Sequence, residues 1–565
     1  MSARCDGGKS QCGGERNLAA QRHRGNSHSV RCLEHGGPGS LWRSREPDGS
    51  QEILTILDEK WYIWPALGSQ PGLELVQAGR KRGLVNSHKT QGNPFGVVRP
   101  RLAYLNLLVC LIILITAVSC LPGASSAPTA GAGSTPTTMP TPSRANYYVD
   151  AQQGRDSYPG TQTQPWSSIQ QCLDRVRPGD TCNILGGPYH ESLTLKTSGS
   201  PTATITIKSS NDQTVIVDSG SMKSLVTGGR IDYYTIEGLS LISSYSPSSQ
   251  SDASIDLGAN IPFSESDKTA GNNNIVFRNC YIEGSIYFYG HHNLMENCEL
   301  NGKNVYQNAV LNKFAASYNN IYRKNLIHDY LTRGIWSMQA ADNVLVQGNT
   351  IHDVQYGIDC DGAFISVTAC DVVNNNVYNT GKDGDWGSAI YLENCFHCLA
   401  QGNTVHDIRS GVGIFAINYG NGSSANWHTF HDIEYRDDDS NTSILNNVIY
   451  NYPTGAGIYI SSVSGLVIDH NSFYNVGITP PIGFQAETDE AGRIYYPSNE
   501  TITNNIFFAG DVAWHNARTS GLTSAGNFKG DPPFLAPPGD LRLESSSPAC
   551  VSGVNGTYAG AFPCN

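Results

Sequence analysis

A five-residue phrase that begins with asparagine recurs through the second half of the chain. Its copies include N-L-I-H-D, N-T-I-H-D, N-T-V-H-D and N-V-I-Y-N, and the copies start at Asn325, Asn349, Asn375, Asn403, Asn447 and Asn471. Successive starts are separated by 24, 26, 28, 44 and 24 residues. A period of roughly 20 to 50 residues indicates one structural unit stacked on copies of itself. We therefore expect a column of similar coils.

Each repeat contains two short segments in which apolar and polar residues alternate. Residues 344–353 and 357–361 show this pattern, which predicts two half-buried β-strands joined by a turn. A unit of about two dozen residues leaves no room for a helix, and such coils bury their apolar faces only by stacking. An asparagine at one place in successive coils can form an amide ladder that satisfies backbone groups at a bend. The prediction is a parallel β-helix.

Composition agrees with this fold and limits the partners. The chain has 565 residues, a net charge of −12, 59 glycines and only 15% charged residues. This composition is typical of a chain with many short strands and turns rather than long helices. The acidic balance argues against a nucleic-acid partner, which would favour a basic face. The length predicts more than one region.

The amino-terminal part does not continue the repeat. Residues 1–98 are rich in Gly, Arg and Ser, and we interpret them as a wrongly assigned start or a disordered extension. Residues 99–120 combine a basic flank with an apolar run, as a secretory signal does. The alternative is a cytoplasmic tail followed by a signal anchor, because the run is just long enough to span a bilayer.

The end of the apolar run resembles a bacterial lipobox. It reads A-V-S-C, with Cys120 in the place of the lipidated residue and Ala117 where leucine is usual. Cleavage near Ala124 or Ala127 by an ordinary signal peptidase is the alternative. Residues 121–145 consist mainly of Pro, Thr, Ser, Ala and Gly, and they predict a disordered linker. We expect an exported, extracellular or cell-surface bacterial protein that contacts a membrane only through such an anchor.

Ten cysteines follow Cys120, and an even number in an exported chain favours disulfides. Cys280 and Cys298 each follow the asparagine of an N-C pair, so we expect them on neighbouring coils. Cys370 and Cys398 each lie five residues before a repeat asparagine and are expected to stack as well. Buried thiols in a ladder are the alternative to disulfides for these positions.

Two flanking segments resemble the pectate-lyase superfamily of right-handed parallel β-helices. The first, residues 146–189, contains Y-Y-V-D and then a helical spacing of Trp166, Ile169, Cys172, Leu173 and Val176. The second contains D-P-P-F-L, D-L-R-L and S-P-A between residues 531 and 549. The resemblance covers residues 146–565. It implies an all-β, right-handed single-stranded parallel β-helix with a short N-terminal capping helix, but no particular reaction, since the superfamily includes lyases, hydrolases, epimerases and adhesins.

One alignment of the coils predicts a candidate site. If the isoleucines of successive coils point inward, they are Ile335, Ile358, Ile390, Ile414 and Ile458. The next residue on each strand then points outward, giving Trp336, Asp359, Tyr391, Phe415 and Tyr459. Parallel strands lie about 4.8 Å apart, so this is an aromatic stripe with one acid in it. Asp361 and Glu393 lie beside this stripe, and together they would line a groove. Trp427, in a long loop, could form one side of that groove.

Acidic residues are crowded around this stripe. Between residues 353 and 393 there are seven acids and one basic residue, Lys382. Crowded carboxylates share protons or hold a cation. Oxygen ligands from Asp359, Asp361, Asp383 and Asp385 would suit calcium. The lyases of the superfamily commonly use Lys or Arg as the base with calcium, and this resemblance implies that role for Lys382 or Arg333.

The His-Asp pairs at His328, His352 and His406 recur with the repeat and are interpreted as a turn ladder rather than a site. The leading hypothesis is a monomeric polysaccharide lyase or glycoside hydrolase that uses Asp359, Asp361 and Glu393. The alternative is a non-catalytic carbohydrate-binding or adhesive solenoid with structural calcium. Carboxylates that converge beside Trp336 would favour the enzyme, and burial of the acids would favour the binding module.

Overall fold

The computed structural model describes residues 144–564 apart from short gaps, together with five strands near the amino terminus. The gaps are 211–214, 263–266, 315, 339–340, 363–366, 418–439, 475–479, 489–493, 509–512 and 516–519. The chain divides into two compact units, Met1–Gly133 and Ser134–Asn565. The predicted signal and most of the linker lie outside the described residues, and the interpretation of residues 1–98 stays a prediction.

In the first unit, five strands form one antiparallel sheet. They are Leu18–Gln21, Ser27–Arg31, Leu41–Arg45, Gln51–Leu57 and Lys60–Pro65.

The second unit is a right-handed single-stranded parallel β-helix, as predicted. The chain passes in turn through three parallel sheets, named here sheets 1, 2 and 3. Sheet 1 comprises Asn146–Asp150, Thr181–Leu185, Ile205–Ser209, Tyr234–Glu237, Ile275–Arg278, Leu294–Glu296, Ile321–Arg323, Val344–Gln347, Cys370–Val373, Leu399–Gln401, Ser443–Leu445, Val467–Asp469, Thr501–Thr503 and Thr523–Ala525.

Sheet 2 comprises Val215–Asp218, Leu239–Ile242, Tyr281–Glu283, Glu299–Asn301, Leu326–His328, Thr350–His352, Asn376–Tyr378, Thr404–His406, Val448–Tyr450, Ser472–Tyr474, Ile506–Phe507 and Phe528–Lys529. Sheet 3, which carries the candidate site, comprises Leu193–Leu195, Leu225–Thr227, Ile255–Asp256, Ile286–Phe288, Asn308–Lys313, Arg333–Met338, Tyr356–Asp361, Gly387–Glu393, Gly411–Ile417, Ile458–Ser461, Ile482–Gln485 and Ala513–His515.

Small elements complete the unit. The described helices are the α-helix Ile169–Leu173 and the 3-10 turns Lys382–Gly384, Pro548–Val551 and Val554–Gly556. The short strand pairs are Val367–Thr368 with Cys395–Phe396, Glu487–Thr488 with Ile494–Tyr495, and Phe534–Ala536 with Asp540–Leu543. Within the residues that the structure describes, no helix is long and apolar enough to cross a membrane.

The predicted capping helix closes the amino-terminal end of the coil. Ser168 caps the helix by accepting a hydrogen bond from the Gln171 amide. The residues with helical spacing are all buried in the main core, namely Trp166, Ile169, Cys172, Leu173 and Val176. Their apolar side chains shield the first coil from water, as the sequence predicts.

The inward register of the isoleucines is confirmed. Ile335, Ile358, Ile390, Ile414 and Ile458 pair strand to strand along sheet 3, and each has no exposed surface. Buried β-branched side chains pack well between parallel strands because the pleat holds them in one rotamer. The residues that follow them therefore face outward on one sheet.

The predicted asparagine ladder runs along the bend between sheets 1 and 2. The Asn349 amide nitrogen donates to Asn375 Oδ1 at 2.9 Å, and Asn375 donates in the same way to Asn403 at 3.0 Å. Each Nδ2 also donates to a backbone carbonyl, such as Val346 O for Asn375. The residue before each ladder asparagine turns the chain in the left-handed region, as Gly348 does at φ +64°. The ladder thus satisfies the buried polar groups of the bend.

A second ladder lies at the end of the sheet 2 strands. The rings of His328, His352, Tyr378, His406 and Tyr450 stack in sequence, with centroids 4.7–5.2 Å apart. The Nδ1 atom of each histidine lies 2.7–2.8 Å from the aspartate that follows it. These contacts fit the predicted turn ladder.

The cysteines form four disulfides, which join Cys172 to Cys182, Cys360 to Cys370, Cys395 to Cys398, and Cys550 to Cys564. Cys280 and Cys298 stack on neighbouring coils, as predicted, and are buried free thiols. Cys370 and Cys398 also stack, since the Cys370 amide lies 3.4 Å from the Cys398 sulfur, but each is bonded to a cysteine of its own coil. Four disulfides are compatible with export.

Removing one asparagine side chain from the ladder should lower the free energy of unfolding substantially. Asn375→Ala would remove the side-chain acceptor of the Asn349 backbone amide, one of the two bonds of the Asn349 side-chain amide, and the side-chain donor to the Val346 carbonyl. Each unsatisfied buried group costs about 1–3 kcal/mol, so we expect a loss of roughly 3–5 kcal/mol in the free energy of unfolding. Chemical denaturation would measure it. Asn376→Ala, at a half-buried neighbour, is the matched control, and equal effects of the two substitutions would contradict the ladder's role.

Candidate active site

The predicted acids come together on the outer face of sheet 3. Asp359 lies between Trp336 and Tyr391 in the strand register, and Asp361 lies directly beside Glu393. Neighbouring parallel strands are about 4.8 Å apart, so three carboxyl groups share one small area. They are also buried, with exposed fractions of 1% for Asp359, 5% for Asp361 and 7% for Glu393.

Asp359 forms an ion pair with Arg333. The Arg333 Nε donates to Asp359 Oδ2 at 2.6 Å, whereas Asp359 Oδ1 is buried without a hydrogen-bond partner among the described residues. The guanidinium also lies over the ring of Trp336 at 4.0 Å and over that of Tyr356 at 5.2 Å. Burial raises the pKa of Asp359 to about 7; Arg333 opposes this rise and Asp361 adds to it.

Asp361 and Glu393 form the second half of the cluster. Asp361 Oδ2 accepts a hydrogen bond from Trp336 Nε1 at 3.0 Å. Burial, followed by the charges of Asp361 and Asp359, raises the pKa of Glu393 well above its ordinary value, although a hydrogen bond with Tyr391 and the charge of Arg333 oppose it. Glu393 therefore holds its proton to a higher pH than an ordinary glutamate does, directly beside Asp361 on the neighbouring strand.

An aromatic column flanks the acids. The ring of Tyr391 stacks on that of Tyr356 at 5.9 Å and on that of Phe415 at 5.0 Å, and Phe415 contacts Tyr459 at 5.6 Å. Because these rings stack on one another, and Tyr391 and Phe415 are buried, most of their faces are occupied within the column. Trp386 is the exposed ring, at 43%, and it meets Phe415 edge-on at 5.2 Å.

The structure does not bring every predicted residue to this cluster. The Lys382 ammonium donates to the Asn304 side chain and to the Tyr330 carbonyl, at the turn that enters sheet 3. Asp383 and Asp385 are exposed. Trp427 lies outside the described residues.

Two residues of the site were not predicted from the sequence, Tyr356 and Trp386. Tyr356 pairs with Arg333 in the strand register, three positions before Asp359. Extending the isoleucine alignment by two residues toward the amino terminus pairs Tyr356 with Arg333. Trp386 directly precedes the strand that carries Glu393.

The predicted calcium ligands do not form one site among the residues described. Asp359 is paired with Arg333, Asp361 accepts from Trp336, and the exposed Asp383 and Asp385 lie on a turn. No group of three or more His, Cys, Asp or Glu side chains in the described part of the chain is arranged to hold a metal ion. Calcium binding stays a prediction, and no step below involves calcium.

The raised pKa of Asp359 predicts that stability falls as the pH rises. Its ordinary value is 3.8, so between about pH 4 and 7 the folded state keeps a proton that the unfolded state has lost. The stabilisation is complete below the unfolded value and is lost as the pH rises through the folded value, a change of up to about 4 kcal/mol. Thermal unfolding between these pH values should show a smaller decrease for Asp359→Asn than for the wild type.

The control for this experiment is Asp353→Asn. Burial raises the pKa of Asp353, but hydrogen bonds from His352 and Arg409 outweigh it and leave the pKa below its ordinary value. The carboxyl group of Asp353 has therefore finished titrating by about pH 5, and its replacement should keep the wild-type slope between about pH 5 and 7. If the stability of Asp359→Asn falls with pH as steeply as that of the wild type, Asp359 is not the source of the pH dependence.

Comparisons with known proteins agree with the fold. The family model described as "Right handed beta helix region" matches residues 268–429, which include the candidate site. A search of the curated proteins found no match.

Several solved structures are similar at low identity. Pectate lyase Pel9A is 15% identical, with a TM-score of 0.38, over 75% of this chain and 97% of that chain. The PL6 family alginate lyase AlyGC is 15% identical, with a TM-score of 0.40, over 66% of this chain and 53% of that one. The GH136 lacto-N-biosidase from Eubacterium ramulus is 12% identical, with a TM-score of 0.33, over 68% of each chain. In fold, the chain is a right-handed parallel β-helix protein that resembles the pectate-lyase superfamily.

Proposed function

We propose that the protein is a glycoside hydrolase that cleaves a polysaccharide with Glu393 and Asp361. One observation carries the proposal: two carboxyl side chains lie side by side on neighbouring strands, and the pKa of one of them is raised well above its ordinary value. A protonated and an ionised carboxyl on the two sides of one bond are the pair that glycosidic cleavage needs. The exposed ring of Trp386 supplies an apolar face for a sugar.

The roles follow from the two environments. Glu393 donates its proton to the glycosidic oxygen as the bond from that oxygen to the anomeric carbon breaks. Asp361, held by the Trp336 indole, forms a bond to the anomeric carbon. Water then attacks this carbon, its proton passes to Glu393, and the Asp361 carboxylate is released. Asp361 and Glu393 face each other on strands about 4.8 Å apart, a spacing closer to the carboxyl separation of about 5–5.5 Å in retaining enzymes than to the about 6.5–9.5 Å of inverting enzymes, so we expect retention of configuration.

The contacts of the basic residues favour hydrolysis over elimination. A lyase needs a base that removes a proton beside a uronate carboxylate. Lys382 is bound to Asn304 and the Tyr330 carbonyl, and the Nε of Arg333 donates to Asp359. Both candidate bases therefore have partners other than a substrate.

The burial of the acids supports a second candidate function. With exposed fractions of 1–7%, the cluster fits a structural core of a non-catalytic carbohydrate-binding or adhesive solenoid. In that case, the exposed Trp386 would bind sugar and the acids would only hold neighbouring coils together. Binding without cleavage distinguishes the two.

We also propose that the protein is exported and held at the cell surface. The four disulfides support an oxidising compartment. Residues 99–120 would direct export, with Cys120 as the residue for lipid attachment, and we propose that the protein acts as a monomer.

Incubation with a panel of neutral and uronic polysaccharides tests the function. We expect new reducing ends without unsaturated product, and proton NMR should show retained configuration in the first product. Glu393→Gln and Asp361→Asn should each lower the rate about 100-fold or more, because proton transfer or the nucleophile is lost.

The matched control for these substitutions is Asp371→Asn on sheet 1. Burial also raises the pKa of Asp371, but this residue is on another sheet, so its replacement should leave the rate unchanged. Unsaturated products would identify a lyase instead. Binding without any product, in the wild type and all three variants, would support the binding module.

A further inference from the structure

We propose that the Arg333–Asp359 ion pair restricts this site to neutral polysaccharides and excludes polyuronates. The inference rests on the proposed function and adds the class of substrate. It concerns Asp359, which has no role in the proposed bond cleavage.

One cation contacts the acidic cluster in the described part of the chain. Among the described residues, that cation is Arg333, since Lys382 is bound at the turn to Asn304. Arg333 donates from Nε to Asp359 at 2.6 Å, and its plane lies against the rings of Trp336 and Tyr356. A guanidinium normally binds a substrate carboxylate through its planar fork of donors. Here, the protein's own carboxylate occupies part of that fork.

The remaining charges disfavour an acidic sugar. Arg333 and Asp359 neutralise each other, and Asp361 and Glu393 add carboxyl groups immediately beside them. A uronate carboxylate placed here would add a further negative charge beside Asp361 and would compete with Asp359 for Arg333, in a buried region where screening by water and salt is weak. A neutral sugar meets no such repulsion and can use the exposed ring of Trp386.

Matched polymers test the inference. Polygalacturonate, polyglucuronate and alginate would each be compared with the same polymer after its carboxyl groups are reduced to alcohols. At about pH 8, above the pKa of uronates and of Asp359, we expect the wild type to bind the neutral form at least about 10-fold more tightly in at least one pair. Asp359→Asn keeps the charge of Arg333 but removes its anionic partner, so the preference should shrink or reverse. Asp353→Asn, which removes an acid on the sheet 2 side, should keep the wild-type preference.

The outcomes separate this inference from the proposed function. Tighter binding or faster cleavage of a polyuronate by the wild type would overturn the inference and leave glycosidic cleavage standing. Binding of neither member of any pair would overturn both. A folded Asp359→Asn protein with an unchanged preference would show that the ion pair does not set it. If circular dichroism shows that this variant is unfolded, the wild-type comparison alone decides between neutral and acidic substrates.

Discussion

The in-register stacking of parallel coils is the constraint on which the rest of the structure depends. Isoleucines that follow each other along sheet 3 fill the interior, and the asparagine ladder satisfies the polar groups of the bend between sheets 1 and 2. Because side chains alternate across a strand, a one-residue slip would reverse every position on the sheet. The buried isoleucine row and the amide ladder together prevent such a slip.

This constraint also creates the electrostatics of the candidate site. Stacking places Asp359, Asp361 and Glu393 within two neighbouring strands, and burial removes the water that would screen them. One guanidinium does not offset the burial of three carboxyl groups, so the pKa of Asp359 is raised to about 7 and that of Glu393 well above its ordinary value. The raised pKa values are therefore a consequence of the packing, and they require no special chemistry in any single residue.

The periodicity of the sequence was sufficient to predict the fold and part of the site. Ile358 and Ile390 mark the register, and the register places Asp361 beside Glu393. Lys382 lies in a turn, and the period of a repeat does not determine where a turn side chain points. For the same reason, the stacking of Cys370 on Cys398 was predictable, but their bonds to cysteines of the same coil were not. The sequence also does not show that Tyr391 and Phe415 stack on each other and thereby cover their ring faces.

The contrast between two rows of outward side chains explains why one row is interpreted as structure and the other as a site. On sheet 2, one position of the repeat carries His328, His352 and His406. Their rings stack and each contacts the aspartate that follows it, so these side chains have their partners within the ladder. On sheet 3, the equivalent position changes from Trp336 to Asp359 to Tyr391. The stacked His and Tyr rings of sheet 2 supply each other's contacts, whereas a buried acid in an aromatic row needs a partner of another kind. At Asp359 that reason is electrostatic, since its carboxyl group pairs with the Arg333 guanidinium, which lies over the rings of Trp336 and Tyr356.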